Sequence, residues 1–376
     1  MLQTCNHSVI EEWFWESYST NIQSLCDCRK EITIYLVITC KMLYSSFVRL
    51  NNILYDRRLR AVRHADVPVI SVGNISTGGS GKSPFVQMLV REALAMKARP
   101  AVISRGYKRS GSGEVVVSDG MTILATSVES GDELMMHAAL FPIPVIANAK
   151  RFEGARTAVE RFGANLILLD DGFQHRALHR DMDIVIVDEF TLRQKALLPF
   201  GRLREPWSAL KRAHVIALHE GISPQDIPTD IAHALIIGIR TEWNGVYKLT
   251  KAGLRAGNST NNSTIQLRKQ LLAVSAIAHP ERFKATLAKQ GILPVKHYKF
   301  ADHHAYTMAD CSTLIAECKQ ANAQAIITTE KDAVKLISYI DEFQSHGIDV
   351  LCGSIRTVIA DKRDEFLGMM NALTHL

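Results

Sequence analysis

The sequence predicts an α/β fold in which a mainly parallel sheet is flanked by helices. Short apolar runs recur along the chain with helix-like segments between them, at 67–73, 99–104, 144–148, 165–171, 183–188, 214–219 and 234–239. Runs of this length that are apolar on both faces are typical of strands buried in a parallel sheet. A glycine-rich turn directly follows the first run, at the sheet edge where such folds place their ligand-binding loops.

The length and the composition indicate an ordinary folded protein with more than one domain. The chain has 376 residues, of which 47% are hydrophobic and 22% are charged, so a large core can form and disorder is excluded as a class. After residue 240 the pattern is less regular, and strand-like runs recur at 271–277, 324–329 and 349–352. We predict a core domain over 64–245 and a smaller second α/β domain over 246–376.

The glycine-rich turn has the pattern of a nucleotide phosphate loop, Ser76-Thr77-Gly78-Gly79-Ser80-Gly81-Lys82-Ser83. It lies between a predicted strand and a predicted helix that has Pro84 in its first turn. In such loops the glycines let backbone N–H groups surround phosphate oxygens, the lysine reaches the β- and γ-phosphates, and the serine hydroxyl binds Mg²⁺. The general pattern has glycine where this chain has Ser76. The alternative, a turn that binds nothing, is disfavoured by the flanking strand and helix.

Two acidic motifs are candidates for metal binding or catalysis. The run 166–170 ends in Asp170 and Asp171, and an acid at the tip of a strand beside a phosphate loop can hold Mg²⁺ directly or through water. Taken alone, such an acid is equally compatible with turn chemistry. Asp132 and Glu133 precede a helix-like segment, where acids also stabilise a helix N-terminus. Spacing alone does not decide between these interpretations.

Histidine and arginine residues supply further candidates. The segment Asp302-His303-His304 contains an Asp-His pair, which can orient an imidazole, although an isolated histidine is more often a packed residue. Basic segments at 104–109, 150–151 and 201–206 suit an anionic substrate, because arginine binds phosphate through two parallel hydrogen bonds. Some of these arginines are expected to form surface ion pairs instead.

The N-terminal region predicts membrane attachment. Ile32–Val48 contains one charged residue, Lys41, and a basic stretch follows it up to residue 63. The run is short and polar for a spanning helix, so we favour a membrane-associated helix with a basic flank over 31–63. The helix would lie in the interface of the cytoplasmic leaflet, and the basic flank would meet anionic headgroups. A single span and a merely solvated helix face are the alternatives. Residues 1–30 lack a secretory signal and are expected to be either an extension or a start assigned upstream of the true one. The seven irregularly spaced cysteines suit a reducing cytoplasm.

Taken in order, the motifs resemble those of the tetraacyldisaccharide 4′-kinase (lipid A 4′-kinase) family. The resemblance runs from about residue 33 to near the C-terminus. It rests on VGNISTGGSGKSP (72–84), SRGY (104–107), GDE (131–133), LLDDGFQHRALHRDMDIVIVD (168–188), LLPFGRLREP (197–206), AIAHPERF (276–283), FADHHAY (300–306) and TTEKDAVK (328–335). Ser76 fits this family, whose loop commonly has Ser or Thr there. Ala276 departs from it, since glycine is expected at that position.

The resemblance implies an activity and a set of roles. It implies transfer of the γ-phosphoryl group of ATP to the 4′-hydroxyl of a tetraacyldisaccharide 1-phosphate, with ATP and Mg²⁺ bound and the protein on the cytoplasmic face of the inner membrane. Asp132 would accept the proton of the sugar hydroxyl, assisted by His303. Residues 76–83 would bind the phosphates of ATP. Ser83 would bind Mg²⁺, together with Glu133, Asp170 and Asp171.

Other function classes fit the sequence less well. Another small-molecule kinase with the same loop would not need the apolar N-terminal helix. A switch GTPase normally shows Asn/Thr-Lys-x-Asp, whereas the nearest string here is Thr329-Glu330-Lys331-Asp332. A membrane-recruited ATPase stays a further alternative. A nucleic-acid partner is not expected, since the modest net charge of +6 comes without a basic patch interleaved with aromatic residues.

Overall fold

The computed structural model of the chain describes residues 42–251 and 270–374, which form one twelve-stranded sheet with helices on both faces. The strands are β1 (Val69–Gly73), β2 (Pro100–Ser104), β3 (Val115–Asp119), β4 (Pro144–Ala147), β5 (Leu166–Asp170), β6 (Met182–Val187), β7 (Val215–His219), β8 (Leu235–Lys248), β9 (Leu271–Ser275), β10 (Lys296–Lys299), β11 (Ala325–Thr329) and β12 (Asp349–Ile359). The predicted α/β class is confirmed.

The helices connect these strands. They are α1 (42–56 within the described residues), α2 (Lys82–Ala95), α3 (Ser127–Ser130), α4 (Asp132–Leu140), α5 (Arg151–Phe162), α6 (Glu189–Leu192), α7 (Pro280–Lys289), α8 (Met308–Gln320), α9 (Glu330–Leu336), α10 (Ile340–Ser345) and α11 (Arg363–Thr374). Short 3₁₀ helices cover Trp207–Arg212, Pro224–Asp226 and Ile337–Tyr339.

The sheet is mostly parallel, as the apolar runs predicted. Its strand order is β10-β9-β11-β12-β8-β7-β6-β1-β5-β2-β4-β3. Two neighbouring pairs are antiparallel, β3 with β4 at one edge and β8 with β12 near the middle. Each apolar run listed from the sequence contains a strand, whereas β3 and β10 were not predicted. The central strands are buried because alternate side chains pack on opposite helical layers: Ile70 of β1 joins the core formed with α2, and Val69 joins the core formed with α5.

The sheet is continuous across the predicted domain boundary. Strand β8 runs from Leu235 to Lys248 and therefore spans residue 245, where the two domains were predicted to meet. It pairs with β7 on one side and with β12 on the other. One sheet therefore joins residues 64–245 to residues 246–376. That these two parts are separate domains stays a prediction.

Helix α1 packs on the core through polar contacts and exposes an apolar face. Tyr44 donates a hydrogen bond to the carbonyl of Arg204 at 3.1 Å, and Asn52 donates to Glu205 at 3.0 Å. Leu43 and Phe47 on the other face are 65% and 64% exposed. Of the predicted element 31–63, residues 31–41 lie outside the described part of the chain, as does the predicted extension 1–30. Among the described residues, no helix is long and apolar enough to cross a membrane.

Candidate active site

The glycine-rich loop joins the buried end of β1 to the start of α2. Gly78 and Gly81 have φ angles of +125° and +84°, which side chains other than glycine rarely adopt. Asn74, buried at the start of the loop, donates to Ser80 Oγ at 2.9 Å and accepts from Lys82 Nζ at 3.4 Å. The first-turn N–H groups of α2, which no helix can satisfy internally, face the same loop. These contacts fix the curvature of the backbone before any ligand is present.

Neighbouring segments hold the loop from both sides. The Ser76 hydroxyl is buried and lies 2.8 Å from the hydroxyl of Thr191, and the Thr77 N–H donates to the carbonyl of Arg202 at 2.7 Å. A Cβ atom built on Gly79 would meet no atom within 4 Å. The loop is therefore anchored at its base and open above its glycines. The departure from the general pattern at Ser76 serves this anchoring, a role that the sequence did not predict.

Asp171 links the loop to the acidic tip of β5. Arg204 Nη1 donates to both oxygens of Asp171, at 2.8 and 2.7 Å, and Lys82 Nζ lies 3.6 Å from Oδ1. Burial opposes ionisation of this carboxyl, but the positive charges of Lys82 and then Arg204 outweigh burial and hold its pKa below the usual range. Asp171 is therefore a carboxylate that faces the lysine of the loop.

Glu133 completes an acidic cluster beside Lys82. Burial, and then the negative charge of Asp170, raise the pKa of Glu133, with Asp171 adding to the effect and Lys82 opposing it. The three predicted acids thus lie close enough for their charges to affect one another, and their mutual repulsion is what a divalent cation would relieve. In the described part of the chain, no group of three or more His, Cys, Asp or Glu side chains could hold a metal ion. Mg²⁺ commonly binds through one or two carboxylates plus phosphate oxygens and water, so these residues fit an ion shared with a phosphate ligand.

Asp170 is the most buried acid of the cluster. Its side chain is fully inaccessible, and Oδ2 lies 2.9 Å from Nε2 of His137, which is equally buried. Within residues 42–251 and 270–374, the second oxygen, Oδ1, is buried without a hydrogen-bond partner. A buried carboxylate oxygen without a donor is costly unless a ligand supplies the missing contact. His137 was not predicted, because no local motif distinguishes it from a packed histidine.

Asp132 and His303 form a pair across a long sequence separation. His303 Nδ1 lies 3.1 Å from Asp132 Oδ2, and the two side chains are 12% and 11% exposed. Asp132 begins α4 after Gly131, whose φ and ψ of 84° and 151° suit only glycine. Burial opposes ionisation of Asp132, but the hydrogen bond with His303 and then the charge of Lys335 outweigh burial and lower its pKa. The structure brings these two sequence-predicted residues together, with the carboxyl ionised.

The segments that carry His303 are tied to α9. Asp332 Oδ2 accepts a hydrogen bond from the N–H of Ala276 at 3.0 Å, and the carbonyl of Ala276 accepts one from the N–H of His303 at 3.2 Å. Lys335 Nζ lies 3.0 Å from Asp332 Oδ1 and 3.5 Å from Asp132 Oδ2. Ala276, where glycine was expected, has no positive φ, so this turn accommodates a side chain.

The arginines of the predicted basic segments do not all lie in the acidic site. Arg204 belongs to the site because its guanidinium donates hydrogen bonds to Asp171. Arg151 is buried, and its guanidinium donates to the carbonyls of Asn148 and Ala149 at 3.1 Å each. Burial, and then the charge of Arg105, lower the pKa of Arg151 to about 10. Sequence reasoning missed Lys335 and Lys331 as site residues, although both lie in the motif TTEKDAVK.

Known proteins resemble this chain over most of its length. The model of the tetraacyldisaccharide-1-P 4′-kinase family matches residues 33–372. Tetraacyldisaccharide 4′-kinase from Desulfotalea psychrophila is 35% identical over 343 residues, 90% of this chain and 97% of that protein. The protein of the same name from Halothermothrix orenii is 36% identical over 362 residues, 89% of this chain and 92% of that protein.

A solved structure shares the fold. The crystal structure of the "apo" form of LpxK from Aquifex aeolicus in complex with ATP matches with a TM-score of 0.73 and 27% sequence identity, covering 90% of this chain and 99% of that one. The resemblance inferred from the motifs is confirmed by these matches.

Proposed function

The chain belongs to the tetraacyldisaccharide-1-P 4′-kinase family, and from that premise we propose how its residues divide the work of phosphoryl transfer. The enzyme is an ATP-dependent kinase of lipid A biosynthesis that acts on the 4′-hydroxyl of a tetraacyldisaccharide 1-phosphate. Phosphoryl transfer needs little covalent help from the protein, so positioning and charge neutralisation supply most of the acceleration.

The glycine-rich loop, residues 76–83, is the site for the phosphates of ATP. The open space above Gly79 and the first-turn N–H groups of α2 suit phosphate oxygens, and Lys82 lies within reach of both the loop and Asp171. Ser83 and the acids Glu133, Asp170 and Asp171 are the residues that would hold Mg²⁺, directly or through water. A bound Mg²⁺ would neutralise charge on the phosphates during transfer.

The observation that carries the assignment of the catalytic residues is the hydrogen bond between Asp132 and His303. Asp132 is ionised, directly precedes Glu133 of the acidic cluster, and has its carboxylate oriented by an imidazole from a distant segment. A carboxylate held in this way can accept the proton of an attacking hydroxyl. We assign Asp132 as the base and His303 as the group that orients it and shares its proton.

Replacement of each member of the pair tests this assignment. Asp132→Asn and His303→Gln should each lower kcat by about 10²- to 10⁴-fold, the usual contribution of a general acid or base, while the KM for ATP changes little. His346→Gln is the matched control, because His346 directly follows α10, where its partly exposed ring lies against Glu342 and Ser345. Turnover near the wild-type rate in Asp132→Asn would contradict the assignment.

The exposed face of α1 is the surface that would contact the membrane. Leu43, Phe47 and Leu50 are each more than half exposed on this helix, and Arg49 and Arg57 are exposed beside them. Such a helix can lie in the interface of the cytoplasmic leaflet with its apolar side chains among the acyl chains and its arginines near anionic headgroups. This placement brings an acylated substrate to the site.

Vesicle binding tests the membrane assignment. The double variant Phe47→Ser/Leu50→Ser should co-sediment less with vesicles that contain anionic phospholipid, because it removes apolar surface worth roughly 1.5–3 kcal/mol per fully buried side chain. Leu293→Ser, at another highly exposed leucine, is the control. Equal binding of the two variants would contradict the assignment.

A further inference from the structure

Lys331 lies against the nitrogen of His303 that faces away from Asp132. Its Nζ is 3.1 Å from His303 Nε2, and its side chain is 19% exposed. An ammonium group has three donors and no acceptor, so this contact requires Nε2 to present its lone pair. The ring proton then resides on Nδ1 and is donated to Asp132 Oδ2 at 3.1 Å. The donor chemistry of Lys331 thereby selects the tautomer of the histidine.

We propose that Lys331 is a positioning residue, which keeps the proton of His303 on Nδ1 so that the imidazole binds one oxygen of Asp132 and leaves the other for the acceptor hydroxyl. This inference rests on the proposed function, in which Asp132 is the base.

A competing carboxylate explains why a cation is needed at this position. Asp302 Oδ2 lies 3.8 Å from His303 Nε2, and Asp302 Oδ1 accepts a hydrogen bond from Lys331 at 3.2 Å. Without Lys331, the negative charge of Asp302 would attract a proton to Nε2. A ring with its single proton on Nε2 would turn the Nδ1 lone pair toward the Asp132 carboxylate, and the hydrogen bond between the pair would be lost.

The two oxygens of Asp132 have different surroundings. Oδ2 accepts from His303 and also faces Lys335 Nζ at 3.5 Å. Across the two described stretches of chain, the side-chain hydrogen bond to Asp132 is at Oδ2, and Lys335 makes its nearest approach to the same oxygen. A carboxylate oxygen that keeps free lone pairs can accept a proton from a hydroxyl. The tautomer fixed by Lys331 thus assigns the reactive oxygen as Oδ1.

Local structure holds Lys331 in place. It is the second residue of α9, whose N-cap residue Thr329 accepts a hydrogen bond from the Asp332 N–H at 3.2 Å. The Asp332 side chain in turn binds the N–H of Ala276, whose carbonyl accepts from the N–H of His303. The backbones of the lysine and the histidine therefore belong to one hydrogen-bonded unit, and the contacts of Lys331 Nζ with Asp302 and His303 hold the ammonium group at the ring.

The tautomer can be read directly in the full-length protein by NMR. Long-range ¹H–¹⁵N correlation spectra of the enzyme labelled in its histidine rings should show His303 with a protonated Nδ1 and an unprotonated Nε2, the signals being assigned by their absence in His303→Gln. Lys331→Met should move the Nε2 signal toward that of a protonated nitrogen. It should also lower kcat by about tenfold or more through misorientation, with the KM for ATP within about twofold of the wild-type value.

Two further variants complete the test. Lys331→Arg retains a cation without acceptors, so it should restore the tautomer and much of kcat. Lys296→Met removes an exposed lysine that pairs with Glu317 and should change neither. A proton on Nε2 in the wild-type spectrum, or an unchanged tautomer or kcat in Lys331→Met, would overturn the proposal. The spectra need neither substrate nor turnover, so a failure of the proposed function, seen as normal turnover in Asp132→Asn, is distinguishable from a failure of this inference.

Discussion

Replacing Lys335 by methionine should destabilise the fold strongly, because this ammonium group joins two carboxylates in a buried place. The Lys335 side chain is 5% exposed, and Nζ lies 3.0 Å from Asp332 Oδ1 and 3.5 Å from Asp132 Oδ2. It also donates to the carbonyl of His304 at 3.0 Å. Methionine keeps most of the side-chain volume and removes only the charge and the donors.

The size of the loss follows from the burial of the partner. Asp332 is fully inaccessible to solvent, and breaking a buried ion pair from one side costs about 3–5 kcal/mol because a charge is left uncompensated. That is a large part of the roughly 5–15 kcal/mol of a typical fold. Lys251, whose pair with Asp341 is 72% and 66% exposed, provides the matched comparison, since exposed pairs contribute about 0–1 kcal/mol.

Urea unfolding followed by circular dichroism measures both variants under one set of conditions. Lys335→Met should lose several times the stability that Lys251→Met loses. The double variant Lys335→Met/Asp332→Asn should lose less than the sum of its single changes, because the uncompensated charge is removed while an amide oxygen can still accept from the Ala276 N–H. Equal, small losses in the two lysine variants would refute the view that Lys335 neutralises a buried carboxylate.

Three further outcomes are expected. Gly131→Ala should lose more stability in urea than Gly163→Ala, since a Cβ at Gly131 would lie 2.8 Å from the Tyr107 carbonyl oxygen whereas Gly163 has open space; equal losses would contradict this. Burial raises the pKa of Glu330 to about 7, above about 4.3 in the unfolded chain. Its contribution to stability is therefore complete below about pH 4 and lost as pH rises through 7. Glu330→Gln should flatten this pH dependence and should be more stable than the wild type at pH 8. A free energy of unfolding that changes with pH equally in the two proteins would contradict this. Chelation of Mg²⁺ should abolish turnover and added Mg²⁺ should restore it; turnover that persists in excess chelator would contradict the assigned metal role.

The sequence predicted those parts of the fold that depend on local pattern. Each apolar run before residue 240 contains a strand, because a strand covered on both faces must be apolar throughout. The antiparallel pairing of β8 with β12 was not predicted, since its partners lie far apart in the chain and β8 mixes buried with half-exposed residues. Pairing of that kind depends on the tertiary fold, so neither composition nor periodicity records it.

The same distinction between local pattern and tertiary packing applies to the residues of the site. The loop from Ser76 to Ser83 is a local motif and was found from the residues, whereas Asp132 and His303 needed the family resemblance to be paired. Lys331 and Lys335 were missed because a lysine on a short helix resembles a solvated surface residue until its neighbours are known. Their positions against His303 and Asp132 follow from the packing of α9 beside α4.

The most direct test of the account is the position of the phosphate that the enzyme adds. The full-length protein would be given ATP, Mg²⁺ and a tetraacyldisaccharide 1-phosphate in mixed micelles, and the product would be mapped by ³¹P and ¹H NMR. The account predicts one new phosphate ester at the 4′-hydroxyl, formed by the wild-type enzyme and by His346→Gln but reduced at least a hundredfold in Asp132→Asn, about the lower end of a general base's contribution. Normal ATP binding without any phosphorylated lipid, or equal product from Asp132→Asn, would contradict it.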